Sequence, residues 1–174
     1  MDAALKKKVW RVTVEVSRIV IAVVFIFSGF VKVVDPWGAG LKIGESLAAF
    51  NMDALYDWRF WLGIWLSGAE MMMGMMLLFR VRIRLVSIFL TCAMTFFTIL
   101  TLVLAIWDPV EDCGCFGEAI KMTNWGTFIK NLVLLPMSLM VFWDSRRKPI
   151  IPTFRDGFFM LLFGSIAFGI GIYS

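Results

Sequence analysis

The sequence predicts an all-α integral membrane protein: a four-transmembrane-helix bundle plus a fifth, C-terminal transmembrane helix, forming one membrane domain over residues 1–174. Three observations carry this. Of the 174 residues 60% are hydrophobic and only 17% charged, with a mean hydropathy of +0.84, far more apolar than a soluble domain. The apolar residues fall into five runs, 12–34, 60–79, 85–107, 125–143 and 157–173, near the ~20 residues that cross a hydrocarbon core. Finally, the basic residues cluster at alternate breaks between these runs, as the positive-inside rule requires.

Lys6, Lys7, Lys8 and Arg11 precede the first run and read as a cytoplasmic anchor. The run is longer than a signal-peptide core and ends in Lys32, Asp35 and Pro36, so it reads as a retained helix. Residues 35–59 form a first outer loop rich in acidic side chains. Within it Leu41, Leu47, Ala48, Phe50 and Leu55 suggest a short amphipathic helix on the membrane surface. Trp37, Trp58, Trp61 and Trp65 suit the interface. The second helix ends at Arg80, Arg82 and Arg84, a tight basic turn. The third returns outward and stops at Asp108-Pro109, since proline cannot continue the backbone hydrogen bonds. A second outer loop, 108–124, follows. Thr123 or Asn124 can cap the fourth helix, which runs inward to Arg146, Arg147, Lys148 and Arg155. The fifth run is short and needs local thinning or extension to span. Of the 17 basic residues, 11 fall in the three cytoplasmic segments and three in the outer ones. This places the second outer loop and the C-terminus on the periplasmic, extracytoplasmic side of a bacterial inner membrane, with the N-terminus cytoplasmic.

Composition also removes function classes. Histidine is absent, and with it the usual haem, zinc and di-iron ligands and the commonest general base near neutral pH. The pI near 9.2 reflects topology rather than a nucleic-acid partner; the partner it implies is the lipid bilayer. Cysteine and carboxylate chemistry are what is left.

Cys113 and Cys115 stand one residue apart in the second outer loop, within Glu111-Asp112-Cys113-Gly114-Cys115-Phe116-Gly117-Glu118. A bridge between residues i and i+2 closes a small, strained ring, better suited to exchange than to support. Gly114 and Gly117 allow the sharp turns this needs. Glu111, Asp112 and Glu118 oppose thiolate formation, so the pair looks like an acceptor or relay whose partner brings the attacking thiolate. Two other readings stand beside it: a structural bridge, for which so small a ring offers little chain-entropy gain, and a soft Cu(I) site. The methionines of 71–76 lie deep on the second helix, away from the loop, so no metal ligands are assigned and the cluster reads as adaptable packing. The third cysteine, Cys92, lies about 20 Å below the loop at 1.5 Å per residue and reads as a small buried core residue.

The chain resembles the DoxX and MauE-like family of bacterial membrane proteins. The resemblance rests on Phe25-Ile26-Phe27-Ser28-Gly29-Phe30-Val31-Lys32 followed by Asp35-Pro36, on Glu70, and on Asp112-Cys113-Gly114-Cys115-Phe116-Gly117, the last pointing to a MauE-like redox branch. It implies a four-helix bundle linked to thiol–disulfide or quinone-coupled redox chemistry. MauE-type members are associated with maturation of a disulfide-rich methylamine dehydrogenase subunit, and DoxX-type members with quinol or thiosulfate oxidation. The quinone-linked disulfide-forming bundles that it broadly resembles carry a second cysteine pair, which this chain lacks.

Glu70 lies in mid-helix, where a carboxylate is functional or paired. Gly63, Ser67, Glu70 and Gly74 share one helix face that should pack inward. Ser28, Lys32 and Asp35 form a stripe on the first helix; if its membrane part is shifted toward Asp35, Lys32 comes to the depth of Glu70 and an ion pair between them is expected. Thr91, Thr95 and Thr98, with Thr127, Asn131 and Ser138, form further stripes that read as interhelical hydrogen bonds.

The expected function is membrane thiol–disulfide exchange. Cys113 and Cys115 are the reacting pair, and Pro109, Asp112, Gly114, Phe116 and Gly117 shape the loop. Electrons would pass to or from an extracytoplasmic thioredoxin-like protein or a membrane quinone. The alternatives are a non-catalytic membrane scaffold or assembly factor and a Cu(I)-handling protein.

Overall fold

The computed structural model describes residues 3–108, 114–115, 122–146 and 154–173. They are helical nearly throughout: α1 (Ala3–Val34), α2 (Pro36–Ala49), a 3-10 turn (Asp53–Trp58), α3 (Arg59–Leu78), α4 (Ile83–Trp107), α5 (Asn124–Ser145) and α6 (Phe154–Tyr173). Four stretches are long and apolar enough to cross a membrane: Ala4–Val34, Ala54–Leu78, Ile83–Trp107 and Asn124–Ser145. This is a multi-pass membrane protein. The apolar part of α6, Asp156–Ile170, spans about 22 Å at 1.5 Å per residue, short of the ~30 Å hydrocarbon core. The length of α6 therefore does not establish the fifth crossing.

Helix α1 begins well before the apolar run because Ala3-Ala4-Leu5-Lys6-Lys7-Lys8 are strong helix formers that extend it as an exposed arm. It ends at Asp35, whose carboxylate accepts from the Gly38 amide at 2.9 Å while Pro36 occupies the first turn of α2. Asp35 is thus a helix cap and does not extend the Ser28–Lys32 stripe into the bundle. Helix α2 stands where a short outer helix is expected and packs on α3 through its small residues. A Cβ at Gly63 would lie 3.2 Å from the Gly40 amide nitrogen, so the two backbones touch.

Two antiparallel pairs make the bundle. In α1–α3, Gly29 meets the backbone of Met71, and Gly74 meets Ile26 and the Ala22 carbonyl, each so closely that a Cβ would clash. In α4–α5, seam positions recur every seven residues, at Ser87, Met94, Thr101 and the cap Asp108 on one side and at Asn124, Asn131, Ser138 and Ser145 on the other, and three of the four levels are joined by side-chain hydrogen bonds. A seven-residue repeat keeps one seam facing its partner over the whole length of a left-handed pair. Ser87 and Ser145 hydroxyls lie 2.6 Å apart, Asn131 donates to Thr101 at 3.3 Å, and Asn124 donates to Asp108 at 2.9 Å. Thr95 and Thr98 instead bond back to the carbonyls four residues earlier, which satisfies the hydroxyl within its own helix. Cys92 is exposed on α4 rather than buried, because that face points away from α5.

Helix α6 lies antiparallel against α3. Phe168 fills the notch at Gly68 and packs on Trp65, while Phe159 and Phe163 stack on Phe79. Met71 and Met76 are buried, and Met72, Met73 and Met75 pack around the same core, so the methionine cluster is packing material.

Candidate functional site

Glu70 faces α1 because Gly29 and Gly74, above and below it, let the two helices approach closely. Its Oε2 lies 2.8 Å from Lys32 Nζ, and both side chains are about nine-tenths buried. The ion pair expected from sequence is formed. A lone charge at this depth costs several kcal/mol, at least ~2.5 on insertion scales, so each partner's burial depends on the other.

Ser28, one turn before Lys32, extends the cluster. Its hydroxyl lies 3.0 Å from the same Glu70 oxygen and 2.7 Å from the backbone carbonyl of Cys115. A serine hydroxyl carries one proton, so two acceptors share it. Cys115 is half-buried, and its carbonyl sits about 9 Å below the end of α1, since Ser28 precedes Val34 by six residues. Gly114 and Cys115, the described part of this outer loop, are therefore inserted into the bundle. Gly114 makes this path feasible. Its φ of +61° is left-handed, and a Cβ there would come within 2.8 Å of the Lys42 stem on α2.

Beside this cluster lies a cavity of about 330 Å³ between the α1–α3 pair, the α4–α5 pair and α2. Its walls are mostly apolar, with Phe25, Met94, Phe97, Leu100 and Leu134 prominent. Polar residues in its lining include Ser28, Lys32, Ser67, Glu70 and Asn131, with Cys115 beside them. The structure thus brings Cys115, Gly114, Lys32 and Glu70 to one place and leaves Asp35 outside it. Pro109, Asp112, Cys113, Phe116 and Gly117 lie outside the described residues. Among the described residues no group of three or more Cys, Asp or Glu is arranged to hold a metal.

A family model described as methylamine utilisation protein MauE matches residues 10–144. The chain belongs to the MauE family. The match covers α1 to α5 apart from the ends of the outer helices, and so includes the ion pair, Ser28 and the cysteine loop. No curated protein and no solved structure matches the chain.

A second charged cluster went unread in the sequence. The Arg18 guanidinium is buried and donates to the carbonyls of Leu77 and Leu78 at 2.5 and 2.6 Å, closing the end of α3. Glu15 binds both Arg18 and Arg80. The signal was the Glu15/Arg18 pair at i, i+3 inside an apolar run, opposite the basic turn. The polar seam of α4–α5 had one too: its strict seven-residue spacing.

Proposed function

We propose that this MauE-family chain is a membrane thiol–disulfide exchange protein, with Cys113 and Cys115 as the reacting pair and an extracytoplasmic thioredoxin-like protein as its partner. What supports the reading most is the hydrogen bond from Ser28 to the Cys115 carbonyl. It holds a cysteine from an i, i+2 pair by its backbone, at the wall of a cavity and next to a buried ion pair. A structural staple has no need of such an anchor, whereas a reacting sulfur must be held in one place while its bond partner changes.

In the oxidised state a partner thiolate attacks one sulfur, the bond between Cys113 and Cys115 breaks, and the displaced sulfur leaves as a thiolate and takes up a proton. A second attack within the partner releases its own disulfide and leaves the pair reduced. The reverse sequence oxidises the pair. Basic residues at the far ends of the helices support a loop on the extracytoplasmic side of a bacterial inner membrane. The family's link to methylamine utilisation makes maturation of a disulfide-containing protein of that system the natural setting.

The test is thiol trapping in intact cells with a membrane-impermeant mass-tagged alkylator, before and after mild reduction, with Cys113→Ser/Cys115→Ser as control. Tagging that requires reduction, and partner capture as a mixed disulfide by either single Cys→Ser variant, is the expected result. Full tagging without reduction, together with an unchanged cell phenotype in the double variant, would instead favour a scaffold.

A further inference from the structure

We infer that the cavity between the two helix pairs seats one acyl chain of an anionic phospholipid, drawn from the leaflet on the cysteine-loop side, with the lipid phosphate at Lys42 and Lys130. The inference goes beyond the exchange reading and does not rest on it.

Three features of the cavity carry it. The first is depth. Counted from the helix ends nearest the cysteine loop at 1.5 Å per residue, Lys32 lies about 3 Å down α1 and Lys130 about 9 Å down α5. On the same count Phe25 and Leu134 lie about 14–15 Å down their helices and Met94 about 20 Å down α4. The cavity is thus roughly one leaflet deep, half of the ~30 Å hydrocarbon core. Its lysines stand toward the top and its lower walls are apolar, which is the polarity gradient of a lipid within one leaflet. Glu70 is the deep exception, and Lys32 neutralises it at 2.8 Å.

The second feature is an opening. Leu66 and Phe96 line the cavity and are 39% and 61% exposed on the outside of the bundle, so a chain can enter from lipid. The third is charge. Among its described lining residues are three ammonium groups, Lys32, Lys42 and Lys130, against one carboxylate, Glu70. Lys42 also meets Glu45 at 3.2 Å, but that carboxylate is 49% exposed, so solvent screens the pair and a phosphate can compete for the ammonium. Lys42 on α2 and Lys130 on α5 flank the upper cavity from two elements, and long lysine side chains carry their ammonium groups up to the headgroup level.

Other occupants match less of this. At about 330 Å³ the cavity is at the small end of ligand pockets, and a partner helix about 10 Å across does not fit in it. A small water-soluble anion would gain nothing from the apolar walls, and a neutral chain nothing from the lysines. An anionic phospholipid uses both, with one chain inside and the other left in the bilayer. Gly114 and Cys115 line the same cavity, so the bound lipid completes the wall on which this part of the cysteine loop rests.

The test is native mass spectrometry of the delipidated full chain, titrated with dioleoyl phosphatidylglycerol, dioleoyl phosphatidylcholine or oleate. Saturable binding of a single phosphatidylglycerol is expected, about tenfold tighter than phosphatidylcholine because two cations face one phosphate. Lys42→Gln/Lys130→Gln keeps most of both side-chain stems and should erase that preference. Leu100→Trp fills the cavity, and Leu66→Trp stands on its exposed rim, where folding tolerates bulk. Each should weaken binding of both phospholipids roughly tenfold, with helix content by circular dichroism unchanged. Equal affinity for the two phospholipids, or a preference that survives the glutamines, overturns the lysine headgroup site. Adducts that accumulate without saturation, or binding indifferent to both tryptophans, overturn the cavity as the seat. Oleate bound in place of phosphatidylglycerol makes the occupant a free fatty acid and sinks the phospholipid.

Discussion

Helices α1 and α3 share two charged clusters about 21 Å apart along α1, and the two are built differently. At the Arg18 end, the guanidinium meets the Leu77 and Leu78 carbonyls at the end of α3, the first of which also accepts from the Arg80 amide, and its counter-ion Glu15 is 38% exposed. Its partners are Glu15, one turn away on α1, and the end of α3 with the turn that follows it, so the whole cluster ties α1 to one helix end. At the Lys32 end, a single carboxylate oxygen serves both an ammonium and a hydroxyl, both charges are buried, and the hydroxyl reaches a loop 87 positions away in sequence. The first cluster closes a helix. The second couples the bundle core to a cysteine and faces a cavity. Charge buried inside a membrane bundle is thus not one kind of feature: what surrounds it decides whether it serves stability or chemistry.

The sharpest way to break this contrast is to orphan one charge of the buried pair. Lys32→Met leaves Glu70 without its ammonium and should destabilise the fold by ~3–5 kcal/mol, the usual cost of stranding a buried ion. Lys32→Met/Glu70→Leu should recover much of that loss. Unfolding by SDS titration in mixed micelles, followed by circular dichroism, gives the double-mutant cycle. Zero coupling would mean that the pair has no energetic role and that the two clusters differ only in location.

Next in size is Arg18→Ala. It removes charged hydrogen bonds to the Leu77 and Leu78 carbonyls and one partner of Glu15, a loss of about 1.5–3 kcal/mol. The same titration measures it. The contrast predicts that the alkylation rate of Cys115 will not move, since the cluster lies about 21 Å along α1 from the Lys32 end. A faster rate would show that the two ends communicate.

Ser28→Ala reverses that pattern. Losing one hydroxyl should cost only about 1 kcal/mol of stability. It also removes one hold on the Cys115 carbonyl, so the cysteine should react faster with an impermeant alkylator after reduction. A substitution that scarcely alters unfolding yet clearly alters thiol reactivity would identify Ser28 as a positioning residue. If both stay unchanged, the loop is held by other contacts.

These differences also explain what the sequence could and could not convey. Four apolar stretches announce themselves because lipid demands length and composition, which are local properties. The Lys32–Glu70 pair was legible for a similar reason: two opposite charges at matching depth in apolar helices have few places to go. The insertion of Cys115 below the membrane end of α1 was not legible, because it depends on Gly114 adopting a left-handed turn against Lys42, a contact between elements distant in the chain. Asp35 misled because its stripe position is real, but the Pro36 that follows turns the chain and makes it a cap. Cys92 misled because small and apolar is also what a lipid-facing position accepts.

The smallest expected effect makes the finest distinction. Arg80 binds Glu15 from the turn after α3, and its side chain is 55% exposed, so solvent screens the pair and two mobile side chains must be ordered to form it. Arg80→Ala should therefore cost under about 1 kcal/mol. Whatever it costs should shrink as salt is raised, because exposed pairs lie within reach of counter-ions. Arg18→Ala, measured side by side, should keep most of its effect at high salt, since its carbonyl partners are uncharged and its guanidinium is buried. If the two variants respond to salt alike, Arg18 is an ordinary surface ion pair. The contrast between a helix-closing cluster and a loop-holding one would then have to be redrawn around the Lys32 pair alone.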